Sequence, residues 1–388
     1  MKTYDWIVIG GGITGAALGY ELSCKGFTVL LLEQHATLQG ATRYSYGALG
    51  YWSSTSELIR LLSQEGMEIH RSLSEELEAD TQLRELDLLM TIDPKCDPKS
   101  VLAEYSHFTI PIKLISTQQA SEIEPMLNRE AISGALITRN GHIHPGKTTL
   151  GYRNAFRRAG GEIQIASVLK LLRVGDQIQG VTTKESTYFA ANTVVCAGGI
   201  SRALLKATGI NVRLYFTRAE MIEIPPVDFK LQTIVMPAQT NRFQLEAEAS
   251  TAELEYLWDQ PGHELVPPIL DAGAIQFLDG SLRIGQISRV LTDPQVRVAP
   301  EPSEAAIRTE VGKVLPVLEK LPGTWHDCLV AFSNNGLPVV GKLGNYEGAY
   351  VFSGFTKPML LVPPLAKRFT NWAAGQKDSV ISQLSPIS

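Results

Sequence analysis

Cysteine is scarce in this chain, with four in 388 residues, at Cys24, Cys96, Cys196 and Cys328. No two of them share a C-x-x-C spacing, so the sequence offers neither a disulfide framework nor a metal site, and a reducing compartment fits best. Long apolar runs are missing too: nothing approaches the ~20 residues of a membrane span, and Met359 to Ala366 is broken by Pro363-Pro364. No cluster of Lys or Arg marks a nucleic-acid surface, and the net charge is −5. No internal repeat is visible. What remains is a globular chain, 44% hydrophobic and 19% charged, long enough for two domains or for one with a large insertion. The N-terminus enters an apolar strand at once, which speaks against a cleaved signal peptide and for a cytoplasmic protein without a membrane span.

Glycine, by contrast, is placed with purpose. The stretch Asp5-Trp6-Ile7-Val8-Ile9-Gly10-Gly11-Gly12-Ile13-Thr14-Gly15 is a strand-length apolar run closed by a G-x-G-x-x-G turn, and Ala16 to Cys24 reads as a helix. Gly10 permits the tight turn, Gly12 lets backbone approach a pyrophosphate, and Gly15 lets the helix pack on the strand. Phosphates would sit over free N–H groups at the positive end of that helix. A second apolar strand, Thr28 to Leu32, ends in Glu33, 23 residues beyond Gly10. A carboxylate there accepts from both ribose hydroxyls of an adenosine and repels a 2′-phosphate, which favours FAD or NAD over NADP.

Further along, helical periodicity covers Thr55 to Ala79, and Thr91 to Pro111 is loop-rich. Ser116 to Leu127 reads as a short acidic helix, with Asp93, Asp97, Glu122 and Glu124 on a solvated face. Gly141 to Gly146 marks a junction whose His142 and His144 are expected to be structural; a helix follows from Lys147 to Ala159. Strands resume at Glu162 to Leu169 and near Gln177 to Thr182. Ala190 to Gly199 repeats the buried strand closed by small residues, here Ala197-Gly198-Gly199. Val212 to Gly285 alternates in strand fashion, Glu301 to Leu321 is helical, and Leu337 to Val340 and Ala349 to Ser353 are strands before a helix from Pro364 to Ala374. The expected fold class is α/β: a discontinuous, Rossmann-like nucleotide domain (1–80, 141–210 and 325–388) with an inserted, mostly antiparallel α+β substrate or cap domain (81–140 and 211–324).

With Gly10 to Gly15, Val195-Cys196-Ala197-Gly198-Gly199 and Asn335-Gly336-Leu337-Pro338-Val339-Val340-Gly341 in place, the chain resembles the FAD-dependent D-amino-acid oxidase superfamily, with glycine oxidases and monomeric sarcosine oxidases nearest. The resemblance implies FAD held by Ile13 and Thr14 at the first helix turn and by Glu33 and Gln34 at the ribose. The Gly40-Ala41-Thr42-Arg43 loop with Tyr46, Gly47 and Ala48 would follow the pyrophosphate. Val168 would lie by the adenine, and Ser353-Gly354-Phe355-Thr356-Lys357-Pro358-Met359 along the isoalloxazine. Gly336 would mark the late turn.

Two departures bear on chemistry. Glycine oxidases carry an arginine before this turn that clamps the substrate carboxylate; here Val330 stands in its place. Lys357 is the leading replacement, against the alternative of a solvated loop lysine. Sarcosine oxidases attach the flavin to a cysteine seven residues before the turn acid, and Cys328 lies seven before Asn335. They share the Thr42-Arg43 pair and place an oxygen-activating lysine two residues before a strand glycine, where this chain has Arg283 before Gly285. Cys328 as a small buried hydrophobe and Arg283 as an outward strand residue are the competing expectations. The chemistry implied is oxidation of a C–N bond in a small-molecule amine or amino acid to an imine, with Lys357, Arg283 and Arg43 as its charged groups and dioxygen or another acceptor regenerating FAD. A 2-hydroxy acid dehydrogenase and a flavin-bearing subunit that needs a partner are the alternatives.

Overall fold

The computed structural model describes residues 2–386; Met1, Ile387 and Ser388, included in the expected nucleotide segments, lie outside them. The strand Thr3–Ile9 buries both faces, which is why its sequence is a continuous apolar run. Trp6 and Val8 enter one hydrophobic core with the helices Ile13–Cys24 and Pro358–Ala373, while Ile7 and Ile9 enter another on the opposite face. The strand pairs in parallel with Val29–Glu33 and with Thr187–Val195. Gly10 turns the chain at φ +101°, and a Cβ there would stand 2.6 Å from the Cys196 carbonyl oxygen. A Cβ on Gly15 would stand 1.9 Å from the Gly10 carbonyl oxygen, so glycine alone lets the helix leave the strand this closely.

This first sheet runs Val339–Lys342, Ala349–Ser353, Thr187–Val195, Thr3–Ile9, Val29–Glu33, Glu162–Ile165, and the hairpin Val168–Val174/Gln177–Thr183 joins it beside Thr187–Val195. The second sheet runs Thr324–Ser333, Leu214–Ile224, Leu282–Arg289, Ile269–Gln276, Ile234–Pro237, Arg84–Ile92, Gly134–His142, Lys113–Ile115. All its pairings are antiparallel except Ile234–Pro237 on Arg84–Ile92. The expected boundaries at 141 and 325 fall inside Gly134–His142 and Thr324–Ser333, both strands of this second sheet.

Several elements depart from expectation for local physical reasons. The loop-rich stretch after Thr91 contains the helix Pro98–Glu104, started by the Asp97 side chain accepting from the Ser100 amide. The helix Arg242–Ala249 interrupts the stretch read as alternating strand. The helix from Pro300 ends at Val314, because Leu315 precedes Pro316, and a 3₁₀ turn follows. Glu124, expected on a solvated face, is fully buried and accepts from the Gln232 and Thr233 amides at 2.7 and 2.9 Å.

The last long helix begins at Pro358, not Pro364, and holds Pro363 and Pro364 in its interior. Those prolines leave the carbonyls of Met359 and Leu360 without their usual donors. The helix Glu57–Glu76 covers both: His70 Nε2 donates to the Met359 oxygen at 2.7 Å, and Gly66 approaches so closely that a Cβ would stand 2.2 Å from the Leu360 oxygen.

Candidate active site

The carboxyl ends of Thr3–Ile9, Val29–Glu33 and Thr187–Val195 open into a cavity, the place where open parallel sheets bind ligands. Gly10, Gly12, Thr14, Glu33, Gln34, Ala41, Thr42, Val168, Ala197 and Gly198 line it, all of them singled out in the sequence. No side chain caps the helix Ile13–Cys24 in the usual way; Ile13 N donates to Thr42 Oγ1 at 3.1 Å, and the neighbouring amides are left for an anion. A Cβ on Gly12 would stand 2.9 Å from that same Thr42 oxygen, leaving no room for a side chain in the cradle. These features fit a dinucleotide pyrophosphate.

Glu33 closes the strand beside the cavity. Its Oε2 accepts from Gly11 N at 2.7 Å and its Oε1 from His35 N at 2.9 Å, leaving lone pairs for hydroxyl donors. Arg153, not singled out in the sequence, is buried beneath: its Nη2 stands 3.7 Å from Glu33, and its Nε donates to Gly11 O at 2.8 Å. Burial pulls its guanidinium below the ordinary value, against the pull of Glu33. The available signal was an arginine on the same helix face as buried Thr149, Tyr152 and Phe156.

A second cavity adjoins the first and shares Thr14, Ala41, Thr42, Gly198, Cys328 and Leu329 with it. Ile13, Tyr46, Gly47, Ala48 and the run Gly354-Phe355-Thr356-Lys357-Pro358-Met359 form one wall. Ala219, Met221, Gln286 and Val330 from the second sheet, with Arg242, form the other. The helix Pro358–Ala373 starts at this wall with no side-chain cap. Lys357 is no solvated loop residue: its Nζ donates to the Ser53 and Gly50 carbonyls at 2.7 and 3.2 Å, and burial lowers its pKa to about 8. Cys328 is buried where the two cavities meet; burial, with Asp327 adding, pushes its thiol up to about 12.

Four sequence candidates stand elsewhere. Gly15 packs under the strand turn, and Gly336 lies in the turn after Thr324–Ser333; neither lines either cavity. Arg43 and Arg283 do not line them either. Arg43 places both terminal nitrogens on Glu223, at 2.7 and 2.8 Å. Arg283, expected to face outward or to serve the flavin, is buried instead. It donates to Glu223 at 3.3 Å and to the Ser45 carbonyl, and lies 4.6 Å from the Phe277 ring centre. Burial alone would raise the Glu223 carboxyl, but the two arginines hold it below the usual range. A buried cation needs such a partner, and the cluster fastens the Arg43–Ser45 segment to the second sheet. His142 acts nearby: its Nδ1 accepts from Arg84 Nε at 3.2 Å, its Nε2 donates to the Tyr46 carbonyl at 3.1 Å, and burial with the Arg84 charge lowers its pKa to about 3.

Among the described residues, no group of three or more His, Cys, Asp or Glu could hold a metal ion, and no helix is long and apolar enough to cross a membrane. The profile of the FAD dependent oxidoreductase family (DAO) matches residues 5–372. Over 271 residues the chain is 27% identical to a glycine oxidase of Geobacillus kaustophilus, covering 64% of this chain and 70% of that one. It is 25% identical to the 4-methylaminobutanoate oxidase (formaldehyde-forming) of Paenarthrobacter nicotinovorans over 54% of this chain, but the match spans only 26% of that relative. The crystal structure of glycine oxidase from Geobacillus kaustophilus superposes with a TM-score of 0.79 at 20% identity, over 100% of this chain and 99% of that one, a likeness of fold.

Proposed function

Because the chain belongs to the FAD dependent oxidoreductase (DAO) family, we propose that this oxidoreductase breaks a C–H bond beside an amine nitrogen. The resulting imine is hydrolysed by water to a carbonyl compound and ammonia or an amine. FAD supplies the acceptor for the hydride, and dioxygen or another acceptor regenerates it. The observation that carries the reading is the pair of joined cavities, one over an uncapped helix start beside Glu33, the other between the Pro358 helix start and the second sheet.

In this reading the helix start at Ile13 and Thr14 receives the pyrophosphate through the amides that Thr42 does not occupy, Glu33 and Gln34 take the ribose hydroxyls, and Val168 packs by the adenine. Ala41, Thr42 and Tyr46 to Ala48 line the path to the ring. Gly354 to Met359 would face it, setting the Met359 amide at the positive end of the Pro358 helix and the Lys357 charge beside the electron-rich reduced flavin. The second sheet serves as the substrate-side cap and excludes water. Its Arg43–Glu223–Arg283 cluster acts on the flavin-side loop by holding it, as positioning residues. A thioether between Cys328 and the flavin needs the thiolate, which a pKa near 12 disfavours, so we read the FAD as held without that bond.

Anaerobic mixing of the purified yellow protein with amines, amino acids and 2-hydroxy acids tests the reading. Bleaching by amines or amino acids, with ammonia or amine released on reoxidation, is expected. Colourless protein that takes up NAD and not FAD, or bleaching by hydroxy acids alone, overturns it. Acid precipitation should leave the yellow colour in the supernatant; colour in the pellet that is lost in Cys328→Ser would establish the covalent link instead.

A further inference from the structure

The position where glycine oxidases carry their carboxylate clamp is apolar here. Val330 lies directly opposite Thr217 on the neighbouring strand. Side chains two residues apart share a sheet face, so Thr217, Ala219 and Met221 look the same way as Val330 and Cys328. Ala219, Met221, Cys328 and Val330 all line the second cavity; Thr217 shares their face of the sheet but lies just outside that lining.

Thr217 is the anchor for a cation that comes from elsewhere in the chain. Its hydroxyl donates to Glu246 Oε1 at 2.8 Å, and that same oxygen accepts from Arg242 Nε, also at 2.8 Å. Arg242 and Glu246 are one turn apart on the helix Arg242–Ala249, and Glu246 is buried. The guanidinium is therefore pinned through one edge to a fixed carboxylate over the Val330 end of the cavity wall. Its other edge is free: Nη2 is buried and has no hydrogen-bond partner, while Arg242 lines the cavity. A buried guanidinium nitrogen left unpaired is costly, and it stays in place only where a partner arrives. The Tyr46 hydroxyl, which reaches across to Gly285 of the second sheet, is also buried without a partner. Lys357, the other cation on this cavity, already spends two of its three N–H donors on loop carbonyls.

The geometry points to Arg242 as the residue that holds the substrate carboxylate, in place of the arginine absent at Val330, with the Tyr46 hydroxyl as a second donor. The inference rests on the amine-oxidising reading above and narrows its substrates to amines that bear a carboxylate. A planar guanidinium with an unpaired terminal nitrogen suits a carboxylate and gains much less from the isosteric amide, which offers one neutral acceptor and turns a donor toward the cation. Glu246, which holds the arginine, and Thr217, which holds Glu246, act as positioning residues.

Titration of the FAD-loaded protein with acetate and benzoate, and with acetamide and benzamide as neutral controls, reads the site through the flavin spectrum. The wild type should respond to the acids and not to the amides. Arg242→Met should weaken the acids by roughly 10- to 150-fold, the loss of one charge-assisted hydrogen bond, with FAD content unchanged. Arg242→Lys should recover part of the loss, and carries the test if Arg242→Met does not fold. Equal carboxylate binding by wild type and Arg242 variants overturns the inference. So does no response of the wild type to either acid, or loss of binding in Lys357→Met alone. Bleaching by amines without a carboxylate but not by amino acids would also overturn it, while leaving C–N oxidation standing. Failure to take up FAD would bring down the broader reading itself.

Discussion

Lys357 and Glu33 show how one partly buried charged side chain can serve both the fold and a ligand. The Lys357 ammonium is held by the Ser53 and Gly50 carbonyls, yet burial has brought its pKa down to about 8. Its charge is therefore present at neutral pH and lost as pH rises through about 8. If that charge favours the reduced flavin, the rate of anaerobic flavin reduction should fall across the same limb. Lys357→Met should be slower at neutral pH, with a lower flavin potential and no such limb; wild-type potential and profile in the variant would exclude the role. Glu33 has a second duty that the sequence did not disclose, since its Oε2 already takes the Gly11 amide beside Arg153. Glu33→Ala should weaken FAD by about 1.5–3 kcal/mol, the range for a hydrogen bond to a charged group. Glu33→Gln, which keeps an acceptor for Gly11, should lose less. An FAD dissociation constant unchanged in Glu33→Ala would remove Glu33 from the ribose.

Pairs of elements explain what single segments conceal. Pro363-Pro364 reads as punctuation, so the sequence starts the last helix there; the helix instead begins at Pro358 because a second helix, roughly three hundred residues away in the chain, meets the two freed carbonyls. That compensation rests on His70 and Gly66 and has no local signature. Gly66→Ala would push a methyl into the Leu360 oxygen and should destabilise by about 1–3 kcal/mol, the usual range for overpacking. His70 must be neutral with its proton on Nε2, and burial lowers its pKa to about 4 from 6.5. Between those values the unfolded chain binds the proton and the folded chain does not. The His70 contribution is thus complete above about pH 6.5 and drains away as pH falls toward 4, at up to about 1.4 kcal/mol per unit. Urea melts of wild type and His70→Leu from pH 7 to pH 4 check this: the variant should be less stable at pH 7 and should lose less on acidification. Parallel curves would rule His70 out as the source of the slope. The strand Thr324–Ser333 and the helix Arg242–Ala249 were hidden for a related reason, since their environment is supplied by neighbours across the sheet and not by their own periodicity.

Across the whole molecule, the part of the site carried by one continuous segment was legible and the part assembled from distant ones was not. Gly10 to Gly15, Glu33 and Ala197-Gly198 stand out as short runs of the residue types that a nucleotide turn calls for, and Ala41-Thr42 and Gly354 to Met359 through the family resemblance. Gln286 and Arg242 reach the second cavity only through packing between elements, so nothing in their immediate sequence marks them, and Arg153, beneath Glu33, is marked only by the buried face of its helix. The same geometry has a thermodynamic consequence. Residues that follow first-sheet strands (Thr14 in the helix after Thr3–Ile9, Gly198 in the turn after Thr187–Val195) and residues of a second-sheet strand (Cys328, Leu329) line both cavities, so a dinucleotide filling them bridges the two sheets. Ligand that binds only the folded chain raises its stability by about 2.7 kcal/mol at a hundredfold excess over Kd. Added FAD should therefore raise the melting temperature of the apoprotein and merge any separate transitions of the two sheets into one. Gly12→Val should fold but lose that increment, because even a Cβ at this position stands 2.9 Å from Thr42 Oγ1, in the space the pyrophosphate needs. Calorimetry of both proteins with and without FAD, and with NAD as control, decides the matter. An increment from NAD, or one retained by Gly12→Val, would mean that the glycine-rich turn is not where the cofactor holds the two sheets together.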